Sequence, residues 1–157
     1  MPLTEKLFMF NPFNIKNWKD EEVAEQYEIL NNSLSGEDTA YSIAYDIELY
    51  ANMGYLIGEM IARYYQSSSI QKVQTDSDIQ NSVYRLRESW TKTSPEKPPA
   101  MSYFEAKAQT MYLDDLKSLV EKEANLKRFK FAYDSIESKQ NALKKKLESL
   151  KFDTFGK

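Results

Sequence analysis

The segment from Ala40 to Tyr65 spaces small or apolar residues at alternating intervals of three and four, the repeat of one face of an α-helix. That face carries Ala40, Ile43, Ile47, Tyr50, Gly54, Ile57, Ile61 and Tyr64. Leu49, Met53, Leu56 and Met60 widen the apolar arc, so the pattern predicts a central helix with neighbours on at least two sides. Because a glycine inside a helix costs about 1 kcal/mol relative to alanine, Gly54 and Gly58 predict close helix packing.

Composition excludes several classes of chemistry. The 157 residues include no cysteine and no histidine, which rules out disulfide frameworks, the usual zinc sites, thiol nucleophiles and imidazole proton shuttles. The four glycines are scattered and form no phosphate-binding loop. We therefore expect no enzymatic activity and no cofactor. The length suits one domain, and we predict a single all-α domain over residues 1–157, a helical bundle with a long C-terminal helix.

The chain carries no pattern of secretion or membrane insertion. Its first residues, MPLTEKLFMFNPF, place an acid and a proline where a secretory signal needs an unbroken apolar core. Asp46, Glu48 and Glu59 interrupt the apolar run of the central helix. We expect a cytoplasmic protein without membrane contact.

The first half of the chain predicts an arm and two or three helices. Residues 1–16 have clustered aromatics without a helical period, which indicates an extended N-terminal arm. An outer helix is expected to begin near Asn17 or Asp20, where acids complement the positive helix end. Ser35 is the expected N-cap of the central helix. Residues 70–91 are either a continuation of that helix or a separate one, and we expect a break near Thr75.

The second half predicts a linker and one long helix. Residues 92–102 contain three prolines and form the expected linker. Ser102 and Glu105 make a capping-box pattern, and no proline or glycine follows before Gly156. One helix is therefore expected over residues 103–150, which at about 1.5 Å per residue is roughly 70 Å long.

A heptad repeat runs along this long helix and predicts a coiled-coil-like face. Its apolar members are Leu126, Phe129, Tyr133, Ile136, Leu143, Leu147 and Leu150. We predict that they form the interface of a homo-oligomer, because their exposure would leave a large apolar patch. The upstream apolar residues fit a helix but lie out of phase with these heptads: Phe104, Ala108, Met111 and Leu116. This is expected where a stutter moves the apolar seam from one partner helix to another.

Charge is unevenly distributed along the chain. Residues 117–157 carry eleven Lys or Arg and six acids, which gives them a net charge of +5. The net charge of the whole chain is −3, so the remainder carries −8. Six of these cations cluster: Lys127, Arg128, Lys130, Lys144, Lys145 and Lys146. They form either a basic ridge that contacts nucleic-acid phosphates or the solvated flank of a coiled coil.

Acidic residues are the other candidates for chemistry. Three pairs stand out in the sequence: Glu37 with Asp38, Asp114 with Asp115, and Glu121 with Glu123. Glu37 and Asp38 belong to a helix start. Adjacent residues in a helix point about 100° apart, so neither remaining pair converges on one point, and we expect no metal or catalytic site. Asp46, Glu48 and Glu59 on the central helix need partners, for which Arg63 or Arg85 is expected.

The order of elements resembles the small helical recombination mediators of tailed phages, the UvsY type. The matching features are a central helix ending in Ile61–Tyr65 before a small polar stretch, and a long C-terminal helix finishing in the tail of residues 152–157. The resemblance covers residues 20–157. It implies a non-enzymatic oligomer in the host-cell cytoplasm that helps to load a recombinase onto single-stranded DNA covered by its binding protein.

Two functions are therefore expected. The first is a non-enzymatic oligomer that binds single-stranded nucleic acid or its coat protein in phage recombination or replication. The alternative is a helical protein-interaction module, either a phage assembly component or an inhibitor of a host protein. Salt-dependent binding to oligonucleotides distinguishes the two.

Overall fold

The computed structural model describes residues 15–155, and most of them are helical. A short 3-10 turn, Ile15–Asn17, precedes four α-helices: α1 (Asp20–Asn32), α2 (Ala40–Thr93), α3 (Met101–Met111) and α4 (Leu113–Phe155). No strand occurs among the described residues, so the all-α prediction is confirmed. Most of the predicted N-terminal arm, residues 1–14, lies outside them.

These residues form two compact units. The first comprises residues 15–62 and 127–155, and the second comprises Arg63–Leu126. Helices α2 and α4 each contribute one segment to both units. The single domain over residues 1–157 stays a prediction.

Helix α1 begins at Asp20, one of the two predicted starts. The backbone N–H of Lys19 donates a hydrogen bond of 2.7 Å to the carboxylate of Glu22, which satisfies a donor at the helix start. Val23 and Leu30 are the buried positions of this helix. The narrow apolar stripe therefore packs inward, as expected of an outer helix.

In the first unit, α2 is the central element that its spacing predicted. Its buried side chains are Ile43, Leu49, Met53, Leu56, Ile57 and Met60. A Cβ added at Gly54 would lie 3.8 Å from the ring of Tyr133 and 3.9 Å from Ile136, both on α4. The predicted close packing is thus present at Gly54, whereas no described atom would lie within 4 Å of a Cβ at Gly58.

The long apolar stretch of α2 does not resemble a membrane span. Asp46, Glu48 and Glu59 interrupt it. In the part of the chain that the structure describes, none of the helices combines the length and the apolar character needed to cross a bilayer.

Helix α2 begins at Ala40, so the predicted N-cap at Ser35 is wrong. Thr39 occupies the capping position: its Oγ1 accepts a hydrogen bond of 3.1 Å from the N–H of Ser42. The N–H of Ile43 donates to the Thr39 carbonyl at 2.9 Å and closes the first turn.

Ser35 is instead bound by Asp46, which is only 3% exposed. The N–H groups of Ser35 and Gly36 donate to its two carboxylate oxygens at 2.8 and 3.0 Å, and the Ser35 hydroxyl donates at 3.1 Å. Gly36 has a φ of +68°, which favours glycine and lets the loop fold back onto α2. For Asp46, the expected Arg63 or Arg85 partner is therefore wrong: three donors of the preceding loop satisfy the buried carboxylate. For Glu48 and Glu59 the expectation stays a prediction.

Helix α2 continues through Thr75 without the predicted break. The hydroxyl of Ser68 donates to the carbonyl of Tyr65 at 3.1 Å, and the amide of Gln74 donates to the Asp78 carboxylate at 3.0 Å. Because these bonds satisfy polar side chains inside the helix, a run of small polar residues does not end it.

An apolar cluster joins α2 and α3 in the second unit. It consists of buried Val83, Phe104 and Ala108, with Ile79, Leu86 and Trp90 packed against them. Trp90, Tyr103 and Phe104 meet edge to face, with ring centroids 5.5 to 6.4 Å apart. Beyond this cluster the contacts become polar, since the hydroxyls of Ser82 and Tyr112 lie 3.0 Å apart.

The proline-rich linker occupies residues 94–100, inside the predicted range of 92–102. Ser102 lies within α3 and is not its cap, contrary to the capping-box expectation. Ala100 is the N-cap, and its carbonyl accepts a hydrogen bond of 3.0 Å from the N–H of Tyr103. Pro99 explains why the cap lies at Ala100 and not at Ser102. A residue before or within a proline pair stays extended, so the helix starts directly after the pair.

The helix predicted over residues 103–150 is divided into α3 and α4 at Tyr112. Tyr112 has φ −111° and ψ 25°, outside the α-helical region. The break falls between Met111 and Leu116, in the stretch whose apolar residues lie out of phase with the later heptads. The apolar repeat thus changes phase at a break between two helices, not at a stutter within one continuous helix.

Candidate nucleic-acid interface

All six residues of the predicted basic ridge lie on α4 and are exposed. At about 100° per residue, positions eighteen apart in a helix point in the same direction. Lys127 and Lys145 are related in this way, and so are Arg128 and Lys146, about 100° further round the helix. Lys130 and Lys144 lie on the other side of Lys127 and Lys145, so the six cations do not point in a single direction.

Arg128 and Lys146 lie on the flank of α4 that faces acids of the same chain. Arg128 lines a cavity together with Asp20 and Glu28 of α1. The ammonium of Lys146 forms an ion pair with the carboxylate of Asp38, in the loop before α2. The side chains of this pair are 44% and 78% exposed, so the pair contributes little to stability.

A second flank of α4, about 100° away, combines lysines with two exposed phenylalanines. We define this outer flank as Lys127, Lys130, Phe131, Lys145 and Phe152, with Lys144 at its edge. Phe131 is 74% exposed and Phe152 is 79% exposed. Phe131 is four positions after Lys127, and Phe152 seven after Lys145, so each lies on the same side as its lysine. Sequence reasoning missed both rings, although neither falls on the heptad seam.

Acidic residues lie among these lysines. Asp134, Glu137 and Glu148 are exposed and share the same side of α4 in the helical register. The outer flank is therefore mixed in charge and only weakly positive, in contrast to the purely basic ridge that the lysine clusters predicted.

The seven predicted interface residues lie on the inner side of α4. Leu126 and Ile136 are buried, and Phe129, Tyr133, Leu143, Leu147 and Leu150 are half-buried. In the first unit this side contacts α2 of the same chain, both at Gly54 and through a 3.2 Å hydrogen bond from the amide of Gln140 to the carbonyl of Ile47. Contacts within the chain thus cover part of the seam, and its role between copies stays a prediction.

A cavity of about 390 Å³ opens among α1, α2 and α4 in the first unit. Its apolar wall consists of Val23, Ala24, Leu56, Ile57, Met60, Phe129 and Ala132. Burial raises the pKa of the Tyr27 phenol on this wall, and the pKa of Tyr50 is raised by burial and then by the charges of Asp46 and Tyr27. Both phenols are therefore neutral at physiological pH and are donors, not bases.

Of the three acidic pairs weighed from the sequence, Glu37 and Asp38 contact side chains of their own chain. The carboxylate of Glu37 accepts a hydrogen bond of 3.1 Å from the hydroxyl of Ser42, and Asp38 pairs with Lys146. Asp114 and Asp115 lie in the first turn of α4, where acids complement the positive helix end. Within residues 15–155, no group of three or more acidic side chains is placed to hold a metal ion.

No protein-family model matches the chain, and no curated protein or solved structure matches it either. What points to a function is therefore the arrangement of its own side chains, above all those of the outer flank of α4.

Proposed function

We propose that the chain is a non-enzymatic, cytoplasmic homo-oligomer that binds single-stranded nucleic acid through the outer flank of α4. The observation that carries this proposal is the shared flank of two lysines, Lys127 and Lys145, and two phenylalanines, Phe131 and Phe152, which are 74% and 79% exposed. Proteins that bind single strands combine cations that follow the phosphates with aromatic rings on which bases stack.

The spacing of the two rings suits an extended strand. Phe131 and Phe152 are 21 positions apart, which at about 1.5 Å per residue is roughly 32 Å along α4. A stacked strand rises about 3.4 Å per nucleotide, so this distance accommodates roughly nine nucleotides. Lys127, Lys130 and Lys145 would then contact phosphates at both ends of the bound stretch.

The resemblance to UvsY-type mediators supplies the biological setting of the proposal. In that setting the chain acts in phage recombination or replication, with a recombinase or a single-strand binding protein as its further partner. The mixed charge of the outer flank suits such a role, because a weakly positive surface binds nucleic acid at low salt and releases it readily as salt rises.

The test is fluorescence anisotropy of a labelled oligo-dT titrated with the chain at several salt concentrations. The logarithm of affinity should fall linearly with the logarithm of salt, with a slope of about −0.7 per contacted phosphate. Joint replacement of Lys127 and Lys145 by Gln should reduce the magnitude of that slope by about 1.4. Phe131→Ala should weaken binding at every salt concentration by about 1–3 kcal/mol, because it removes a stacked base.

Matched controls come from outside the flank. Tyr41 on α2 is 84% exposed, so Tyr41→Ala removes an exposed aromatic ring without touching α4. Lys72 and Lys107 are exposed cations of the second unit, and their joint replacement by Gln changes the net charge equally. If binding is independent of salt, or if these controls weaken it as much as the flank variants, the proposal is wrong.

A helical protein-interaction module, such as a phage assembly component or an inhibitor of a host protein, is the second candidate. Asp134, Glu137 and Glu148 favour it, because interleaved charges of both signs are typical of helix faces that meet other proteins. If no oligonucleotide binding is measured at low salt, the outer flank is instead assigned to protein binding.

A further inference from the structure

Ile15, the first residue that the structure describes, lines a second cavity in the first unit. This cavity lies between α2 and α4 and has a volume of about 460 Å³, within the range of about 300–1,000 Å³ that is usual for ligand sites. The side chain of Ile15 is only 2% exposed. Residues 1–14 are therefore attached to the protein at the wall of this cavity.

The α2 wall of the cavity carries small residues, namely Ala51, Gly54 and Gly58. The two glycines have different surroundings. A Cβ added at Gly54 would contact side chains of α4, whereas one added at Gly58 would meet no described atom within 4 Å. A glycine inside a helix is less favourable than alanine and usually has a packing reason. None of the described residues supplies that reason for Gly58.

The rest of the lining suits an aromatic side chain. It includes the rings of Tyr50, Tyr55 and Tyr133, and aromatic rings attract each other when their centroids lie about 4.5–7 Å apart. Tyr55 is 54% exposed, so the cavity opens to the surface. Its polar members are Glu59, Glu137 and Gln140. Because two of them are carboxylates, the cavity disfavours an anionic ligand and is not a second site for nucleic acid.

The sequence that leads to Ile15 indicates the occupant. Residues 1–14 contain three phenylalanines, of which Phe13 and Phe10 precede Ile15 by two and five positions. Even a fully extended chain keeps their Cα atoms within about 7 and 18 Å of the Cα atom of Ile15. The lining stretch of α2, residues 50–59, is about 14 Å long, so both rings can reach it. Covalent attachment also gives them a high effective concentration at the cavity.

We propose that residues 1–14 dock in this cavity of their own chain, with a phenylalanine ring of Phe10 or Phe13 packed against Gly58. The docked segment would extend the apolar core of the first unit and supply the missing packing reason for Gly58. The lining residues do not belong to the outer flank of α4. The inference therefore goes beyond the proposed function and is independent of nucleic-acid binding.

Gly58→Leu tests the inference in the full-length chain through the sign of its effect on stability. If nothing occupies the cavity, leucine replaces a poor helix former beside open space, and the midpoint of thermal unfolding should rise by about 2–4 °C. If a ring packs against Gly58, the new side chain overpacks the site, and the midpoint should fall by about 3 °C or more. A rise would show that the inference is wrong.

Removing the proposed occupant should reverse that sign. Phe10→Ala combined with Phe13→Ala should lower the midpoint by about 5 °C or more, and Gly58→Leu added to this variant should then raise it. Tyr41→Ala is the matched control, because it removes a ring that is 84% exposed on α2 and does not line the cavity. In the Tyr41→Ala background, Gly58→Leu should still lower the midpoint. The same sign in all three backgrounds would contradict the docking.

A photo-cross-link locates the segment while an aromatic side chain is kept. Phe13→p-benzoylphenylalanine should, on illumination, form a bond to residues 50–59 or 133–140 within one chain, as identified by peptide mass spectrometry. The cross-linked product should keep the 18.4 kDa mass of a single chain. A covalent dimer would place the segment in the cavity of a second copy, and a cross-link elsewhere or none would leave the cavity without it, so either result overturns the inference. Because no oligonucleotide is present, such a failure is distinguishable from a failure of nucleic-acid binding.

Discussion

The side-chain amide of Gln140 on α4 donates a hydrogen bond of 3.2 Å to the main-chain carbonyl of Ile47 on α2, although 93 positions separate the two residues. Gln140 interrupts the apolar heptads of α4. A polar residue in such a seam fixes register, because sliding one helix along the other would leave its amide unpaired. In the first unit, Gln140 therefore specifies how α4 lies on α2.

Gln140→Ala should lower the free energy of unfolding by about 0.5–1.5 kcal/mol, the usual net value of one hydrogen bond. Urea denaturation followed by circular dichroism measures the change. Asn141→Ala is the matched control, because Asn141 is the exposed neighbour on the same helix. Equal destabilisation by both variants would contradict the register role of Gln140.

Asp46→Asn should destabilise the first unit by about 1.5–3 kcal/mol. The carboxylate accepts three hydrogen bonds from Ser35 and Gly36, and an amide has one acceptor oxygen for them. Thermal unfolding gives the measurement, and Glu48→Gln on the exposed side of α2 serves as control. The expectation fails if both variants unfold at the temperature of the unchanged chain.

Ile136→Ala should reduce the free energy of unfolding by about 2–5 kcal/mol, since Ile136 is 5% exposed within one chain. The loss should be the same at low and high protein concentration, because the side chain packs beside Gly54 of its own α2. A destabilisation that disappears at high concentration would instead place the heptad seam between copies.

The stability of the first unit should decrease at alkaline pH. The pKa of Tyr50 is raised in the folded state, chiefly by burial, above an unfolded value of about 10. The folded state thus favours the neutral phenol, so its contribution is complete below about pH 10 and is lost as pH rises through the folded pKa. Tyr50→Phe should make the alkaline decline of unfolding free energy shallower, as measured by urea titrations across that range. An unchanged decline would show that Tyr50 does not contribute.

Lys145 and Lys146 should differ in oligonucleotide binding, although they are adjacent. Lys145 lies on the outer flank, whereas Lys146 pairs with Asp38. Lys145→Gln should reduce the magnitude of the salt slope by about 0.7, and Lys146→Gln should leave it unchanged. Replacing Lys144, Lys145 and Lys146 together should then also reduce it by about 0.7, because Lys145 is the contacting residue of the three, and a reduction of about 2.1 would show that all three contact phosphates.

The fold class was predictable because apolar spacing records which helix faces are buried. The unbroken repeat from Ile43 to Met60 identified the central helix, and the acids after Lys19 identified the start of α1. The continuity of α2 through Thr75 was not predictable from composition, because small polar residues suit both a turn and a helix interior whose hydroxyls find carbonyls. The cap at Thr39 was not predictable either, because Ser35 is bound by Asp46, eleven positions further along the chain.

The candidate site was predicted only in part. Sequence position located the six cations on one helix, but two of the acids near them come from elsewhere in the chain. Asp38 pairs with Lys146, and Asp20 lines the same cavity as Arg128. Both acids lie more than 100 positions away from these cations in sequence, and no local pattern indicates them. Phe131 and Phe152 carried a usable signal, since both fall outside the heptad seam.

Each unit contains one of the two tryptophans of the chain, Trp18 in the first and Trp90 in the second. The indole nitrogen of Trp90 is buried and has no hydrogen-bond partner among the described residues, and its ring meets Tyr103 and Phe104 edge to face. An indole in such surroundings emits at shorter wavelength than one in water, so melting of the second unit shifts its fluorescence to the red. With Trp18 replaced by Phe, the same protein reports on that unit alone. The chain thus has a built-in optical probe of whether its two units melt together or in sequence.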